Sequence, residues 1–329
     1  MKHRTPGFWV VCVFVLSSVS LTIAQANGAT EPQETGQASM ANPLQIALLK
    51  WYKANTTAQF KTGNQPNGIA FDGANMWVAN WADNTVSKIQ ANDGALLGTF
   101  NVGVEPYGVT FDGANMWVSN VASGNVTKLR ASDGALLGTF TVGANPGWMT
   151  FDGENIWVPY GNNTVTKLRA TDGKNLGTFT VENTPITAAF DGTNVWVVCG
   201  GSPPIGFVTK LRAKDGKNLG TFQVGSAPTG IAFDGANMWV ANRGSGTITK
   251  LRASDGNILG TFNLGSNAPY GVAFDGVSVW VSGDGDVQKL RLNDGGIVGQ
   301  WFLTSTSGIA FDGANIWVTV LDINTAAKM

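Results

Sequence analysis

The tripeptide Phe-Asp-Gly occurs seven times, beginning at Phe71, Phe111, Phe151, Phe190, Phe233, Phe274 and Phe311, at intervals of 40, 40, 39, 43, 41 and 37 residues. Each copy opens the same run: Gly-Ile-Ala-Phe-Asp-Gly-Ala-Asn-Met-Trp-Val, then Thr-Val-Thr-Lys-Leu-Arg-Ala-Ser-Asp-Gly, then Leu-Gly-Thr-Phe-Thr-Val-Gly. A period near forty, made of short β-type runs between Gly and Asp turns, marks a propeller with one four-stranded blade per repeat. Helical repeats of similar length need ten-residue stretches with a 3.6-residue period. The 43 glycines spread along the chain forbid those.

In the first repeat, Ile69-Ala70-Phe71 fits a short innermost strand A, and Asn75 to Ala79 fits strand B with Trp77 on one face. Thr85 to Gln90 fits strand C and Leu97 to Val102 fits strand D, with Asp93-Gly94 as the turn between them. The seventh repeat supplies Gly308-Ile309-Ala310-Phe311, Asn315-Ile316-Trp317-Val318 and Asn324-Thr325-Ala326-Ala327-Lys328-Met329, with no strand D after them. Thr57-Ala58-Gln59-Phe60-Lys61-Thr62-Gly63 matches Gly138-Thr139-Phe140-Thr141-Val142-Gly143 and provides the missing strand. The expectation is an all-β, seven-bladed β-propeller over 57–329, its last blade closed by an N-terminal strand so that no edge stays unpaired between first and last blades.

The residues before it read differently. Lys2, His3 and Arg4 precede an apolar stretch from Phe8 to Ile23, and Ala24-Gln25-Ala26 follows. This is the pattern of a secretory signal over 1–26, cleaved to give an exported, periplasmic or extracellular protein, with an uncleaved anchor as the alternative. No membrane span remains after cleavage. Residues 27–42 read as a flexible linker. Residues 43–56 read as a short helix, with Asn42 at the cap, Pro43 in the first turn, and Leu44, Leu48 and Tyr52 on one face to pack against the ring. Loss of Lys2 and Arg4 takes the formal charge from −1 to −3. The strand C lysines are spread around the ring, so no nucleic-acid groove is expected. Cys199 is the one cysteine past the signal, which leaves no intrachain disulfide to close the ring.

Internal repetition separates two kinds of residue. What recurs in every blade serves the blade; what differs is a candidate for function. The seven Asp of Phe-Asp-Gly and the Asp at positions 93, 133, 172, 215, 255 and 294 belong to Asp-Gly turns, where Asp bonds its own backbone and Gly accepts positive φ. Trp77, Trp117, Trp157, Trp196, Trp239, Trp280 and Trp317 share one strand B position and are expected to pack between blades; a ring of ligand-stacking sites is the alternative. Because strands alternate in direction, the A–B and C–D turns share one monotonous face and the D–A and B–C loops share a variable one. The variable face carries Asn67, Glu105, Tyr107, Trp148 and Tyr270 in its D–A loops. Its B–C loops carry Trp81, Tyr160, Arg243, Asp284, Asp286 and the insertion at 200–206. These ten named residues are the candidate binding set, since loops on a rigid scaffold are where binding residues concentrate. Neutral drift of surface loops is the competing reading.

The repeat Gly-Ile-Ala-Phe-Asp-Gly, Met-Trp-Val-Ala-Asn, Thr-Val-Thr-Lys-Leu-Arg and Gly-Thr-Phe resembles the YVTN/NHL-like propellers grouped with the streptogramin (virginiamycin B) lyases, over Thr57 to Met329. The resemblance implies a seven-bladed fold and an elimination that opens a cyclic ester with a histidine base and Mg²⁺. The one histidine of this chain is His3, inside the signal, so no later position receives that catalytic role. Cys199 without a nearby histidine reads as a structural thiol. No His/Cys metal set occurs. No cofactor is expected, the alternative being Ca²⁺ or Mg²⁺; Gly283-Asp284-Gly285-Asp286 offers two carboxylates for Ca²⁺ but by itself lacks the six or more oxygens that Ca²⁺ takes. The leading expectation is a scaffold that binds a protein, peptide or glycan. A lyase-like enzyme with a non-histidine, metal-assisted site is the runner-up, and a structural repeat protein without a ligand is the third.

Overall fold

The computed structural model describes residues 57–200, 205–265 and 268–329. The signal, linker and helix read at 1–26, 27–42 and 43–56 lie outside the described residues, as does most of the 200–206 insertion. Seven four-stranded antiparallel sheets form seven blades, each in the order A-B-C-D. In blade 1 the strands are Pro66–Phe71, Asn75–Asn80, Thr85–Gln90 and Leu96–Asn101, so strand A begins three residues earlier than the apolar run alone suggests. Blade 7 joins both parts of the chain: Ala58–Lys61 pairs with Thr325–Lys328, Ala58 opposite Lys328 and Lys61 opposite Thr325. The ring closes as the repeat arithmetic requires.

The recurring residues have a stronger role than turn-making. Trp77 is fully buried, and its Nε1–H donates to Asp72 Oδ2 at 2.7 Å, while Asp72 Oδ1 accepts the Ala74 and Asn75 backbone N–H groups. The same indole–carboxylate bond recurs in every blade, as at Trp117–Asp112, Trp157–Asp152 and Trp317–Asp312. Lys88 Nζ lies 5.2 Å above the Trp77 ring and donates to the carbonyls of Ala131 and Ser132 in the C–D turn of blade 2. Lys328 does the same to Ala91 and Asn92, linking blade 7 to blade 1. The strand C lysines are therefore not a solvated ring of charge. Lys88, Lys128, Lys167 and Lys210 are buried, their ammonium groups spent on carbonyls of the next blade and on indole faces.

Phenylalanine adds a second link between blades. Phe100 stacks on Trp77 with ring centroids 5.3 Å apart and leans on Gly134 of the next C–D turn, where a Cβ would fall 1.9 Å from its ring and φ is +76°. Glycine is needed there for backbone and packing alike. In blade 7 strands C and D are not consecutive, so no C–D hairpin stands beside blade 6. There Lys289 pairs with Asp275 at 3.2 Å, and Trp301 takes the phenylalanine position, 4.7 Å from Trp280.

Burial works to raise the Asp72 pKa, but the hydrogen bonds from Trp77, Asn75 and Ala74 outweigh it and hold the carboxyl below its ordinary value. A depressed folded-state pKa stabilises fully above the unfolded value and is lost as pH falls through the folded one. Asp72→Ala, which leaves the Trp77 N–H without its acceptor, is expected to cost about 1–3 kcal/mol at neutral pH. The gap from the parent should narrow in urea melts below about pH 3. An equal gap at both pH values would mean the charge contributes nothing.

Candidate functional site

The first half of strand A sets the mouth of the central channel. Gly68 lies so close to the next blade that a Cβ would fall 2.2 Å from the Tyr107 carbonyl oxygen, which keeps the ring narrow. Tyr107 and Tyr270 lie on strands A of blades 2 and 6, Pro106–Phe111 and Pro269–Phe274, rather than in loops. They reach toward each other, and their hydroxyls meet at 2.5 Å. In blade 3 the close approach falls one residue early, at Gly147 against the Ile186 carbonyl, and strand A shrinks to Thr150–Phe151. Trp148 occupies the position that is Gly108 in blade 2, and its backbone bonds to Ile186 and Ala188 of blade 4. Its ring lies 5.7 Å from Tyr107 and 5.6 Å from Tyr270, centroid to centroid. Trp81 meets Tyr107 edge-on at 5.7 Å, and Arg243 lies 5.9 Å over Tyr270 while pairing with Asp284 at 3.0 Å.

Six of the candidate residues thus form one aromatic group with an ion pair at its edge. Beneath it is a chamber of about 140 Å³ on the axis, lined by Ile69, Val109, Met149, Ile231, Val272 and Ile309 and by Trp148 itself. Trp148 Nε1 is buried with no partner among the described residues. Burial pushes the Tyr107 phenol far above its ordinary pKa, the neighbouring Tyr270 adds to this, and Arg243 opposes it. Tyr107 therefore stays protonated at neutral pH and serves as a hydrogen-bonding group, not as a base.

The other four candidates stand elsewhere. Asn67 is buried at the closure, where Ser307 donates to its Oδ1 at 2.9 Å and Thr319 to its carbonyl at 2.8 Å. Glu105 takes part through its backbone: its N–H donates to Asn84 Oδ1 at 2.9 Å, with φ at +58°. Tyr160 ends strand B of blade 3, where blades 1, 2 and 5 have Asn80, Asn120 and Asn242. Its ring covers Gly143, and the hydroxyls of Thr164, Thr166 and Thr178 outweigh burial to hold its pKa below the ordinary value. Asp286 is buried against Gln288 and Gln300, apart from Asp284, so the two carboxylates do not form the pair their spacing suggests. Gln288 and Gln300 escaped the reading of the sequence, although both replace threonine at their repeat positions. Cys199 is fully buried, and burial pushes its thiol up to about 12, which makes it inert at neutral pH.

The monotonous face is not featureless. A groove of about 720 Å³ runs between blades 2 and 3, lined by recurring residues such as Asp112, Asn115 and Lys128 together with Glu154, which stands where blades 1 and 2 have Ala74 and Ala114. A similar groove of about 610 Å³ lies between blades 4 and 5. Their recurrence ties them to blade geometry.

No protein-family profile and no curated protein sequence matches the chain. Solved structures match its fold. Hydrazine synthase of Kuenenia stuttgartiensis is similar with a TM-score of 0.73 at 16% identity, over 82% of this chain and 96% of that one. U3-55K is similar with a TM-score of 0.75 at 11% identity, over 84% and 98%. A catalytically inactive virginiamycin B lyase from Staphylococcus aureus, solved with quinupristin, is similar with a TM-score of 0.67 at 19% identity, over 83% and 98%. At these identities the likeness establishes the seven-bladed propeller, a fold shared by enzymes and interaction scaffolds.

Proposed function

We propose that this chain is an exported binding scaffold whose variable face takes a peptide, protein or glycan at the channel mouth. The observation that carries the proposal is the aromatic group of Trp81, Tyr107, Trp148 and Tyr270, with Arg243 at its edge. None of these residues is repeated at its position in all blades, so blade stability does not explain them. Tyr, Trp and Arg are the types that dominate binding energy, offering rigid apolar area with a polar handle. Two further observations favour binding over catalysis: burial holds the Tyr107 phenol far above its ordinary pKa, and residues 57–329 contain no histidine to act near neutral pH.

The purified mature protein, screened against glycan and peptide arrays, should give hits whose titration changes the emission of Trp81 and Trp148. Binding without any change in tryptophan emission would place the site elsewhere. The same preparation should leave streptogramin B antibiotics intact with and without Mg²⁺; turnover abolished by a chelator would restore the lyase reading.

A further inference from the structure

We propose that the cleft between blades 5 and 6 holds a hard, oxygen-seeking metal cation on Asp286 and Gln288. In blades 1 and 5 the corresponding cleft is a balanced network. Asn80 donates through Nδ2 to Thr85 and Ser87 at 3.0 and 2.9 Å, and its Oδ1 accepts the Gly63 N–H at 3.0 Å. Asn242 repeats this with Thr247, Thr249 and Gly225. Blade 6 changes four of these positions together. Gly283 replaces the asparagine, Asp286 and Gln288 replace the two strand C hydroxyl residues, and Gln300 replaces Thr261 on strand D. Gly285, at φ +108°, makes the turn into that strand.

The replacement network is not balanced. Gln288 Nε2 donates to Asp286 Oδ2 at 3.0 Å and to the Leu264 carbonyl of blade 5 at 3.1 Å, and Gln300 Nε2 donates to the same Oδ2. That leaves Asp286 Oδ1 and Gln288 Oε1, both buried, with no donor among the described residues. The two residues are 5% and 2% exposed. Arg243 and Lys289 are engaged by Asp284 and Asp275, and no ion pair reaches Asp286 among the described residues. A buried carboxylate without a cation is costly, and carboxylate and amide oxygens are among the donors that calcium takes, its remaining ligands being left to water and backbone carbonyls. One metal ion answers the charge and both lone oxygens; a water molecule donating to the two oxygens answers the oxygens alone.

The test is a melt of the chelator-stripped protein in a tetramethylammonium buffer, titrated with CaCl2, MgCl2 or NaCl, with calorimetry for the direct heat of binding. The parent should gain about 5–10 °C at a hundredfold excess over Kd. The gain should vanish in Asp286→Asn, weaken in Gln288→Thr, and persist in Asp284→Asn. Response to calcium alone identifies a divalent site, and response to sodium alone a monovalent one. If Asp286→Asn fails to fold, the comparison of Gln288→Thr with Asp284→Asn decides. No cation-dependent gain in the parent, or an undiminished gain in Asp286→Asn or Gln288→Thr, would overturn the proposal and leave water as the occupant.

Discussion

Ending the chain after Val320 is expected to abolish cooperative folding or leave a protein that aggregates. The cut removes Thr325–Lys328, the strand that sits between Ile316–Val320 and Ala58–Lys61 in blade 7. Buried Ala326 and Ala327 go with it, as do the Lys328 bonds to the Ala91 and Asn92 carbonyls that fasten blade 7 to blade 1. Ala58–Lys61 then has no partner, Trp317 loses its cover, and two sheet edges open to other chains. Among the described residues no disulfide holds the ring, and Cys199 is free and buried. Size-exclusion chromatography and thermal melting measure the effect; an unchanged monomeric melt would sink the closure.

Trp157→Ala should cost about 3–5 kcal/mol, the range for emptying a large buried aromatic site. Trp157 is fully buried, 5.3 Å from the Phe179 ring and 5.2 Å from Lys167 Nζ, and its Nε1–H bonds Asp152 at 2.7 Å. Trp157→Phe keeps much of the apolar area and removes the N–H, so it should cost less, about 1.5–3 kcal/mol for the lost charge-assisted bond. Urea unfolding of the two variants divides packing from hydrogen bonding. A cost below about 1 kcal/mol for the alanine variant, as at surface positions, would mean the indole is no core element.

Much of this was legible in the sequence, because a repeat states its own rules seven times. The closure followed from matching Thr57–Gly63 to Gly138–Gly143, and the division into a uniform and a variable face followed from strand alternation. The burial of the strand C lysines was not legible, for a physical reason. A lysine on an alternating strand looks solvated, and only the neighbouring blade reveals the carbonyls of Ala131 and Ser132 that bury Lys88. The contact of Tyr107 with Tyr270 joins residues 163 apart in sequence and depends on the curvature of the whole ring. Tyr160 looked like a rim residue because it breaks the repeat, yet it fills a structural asparagine position. Breaking a repeat marks a change of local packing as readily as a change of function. The Asp286 cluster was half visible: its aspartate stood out, while Gln288 and Gln300 gain meaning only from sharing one cleft.

The division of labour between the two faces is tested most directly by two variants assayed against the strongest array hit. Tyr107→Ala/Tyr270→Ala removes the bar across the mouth. Glu154→Ala alters the groove between blades 2 and 3 on the uniform face without touching the Trp–Asp–Lys links. Measured by calorimetry, with melts run alongside to confirm folding, the tyrosine variant should lose at least tenfold in affinity, a change of about 1.4 kcal/mol, and Glu154→Ala should match the parent. Affinity lost in Glu154→Ala and kept in the tyrosine variant would put the function on the opposite side of the propeller.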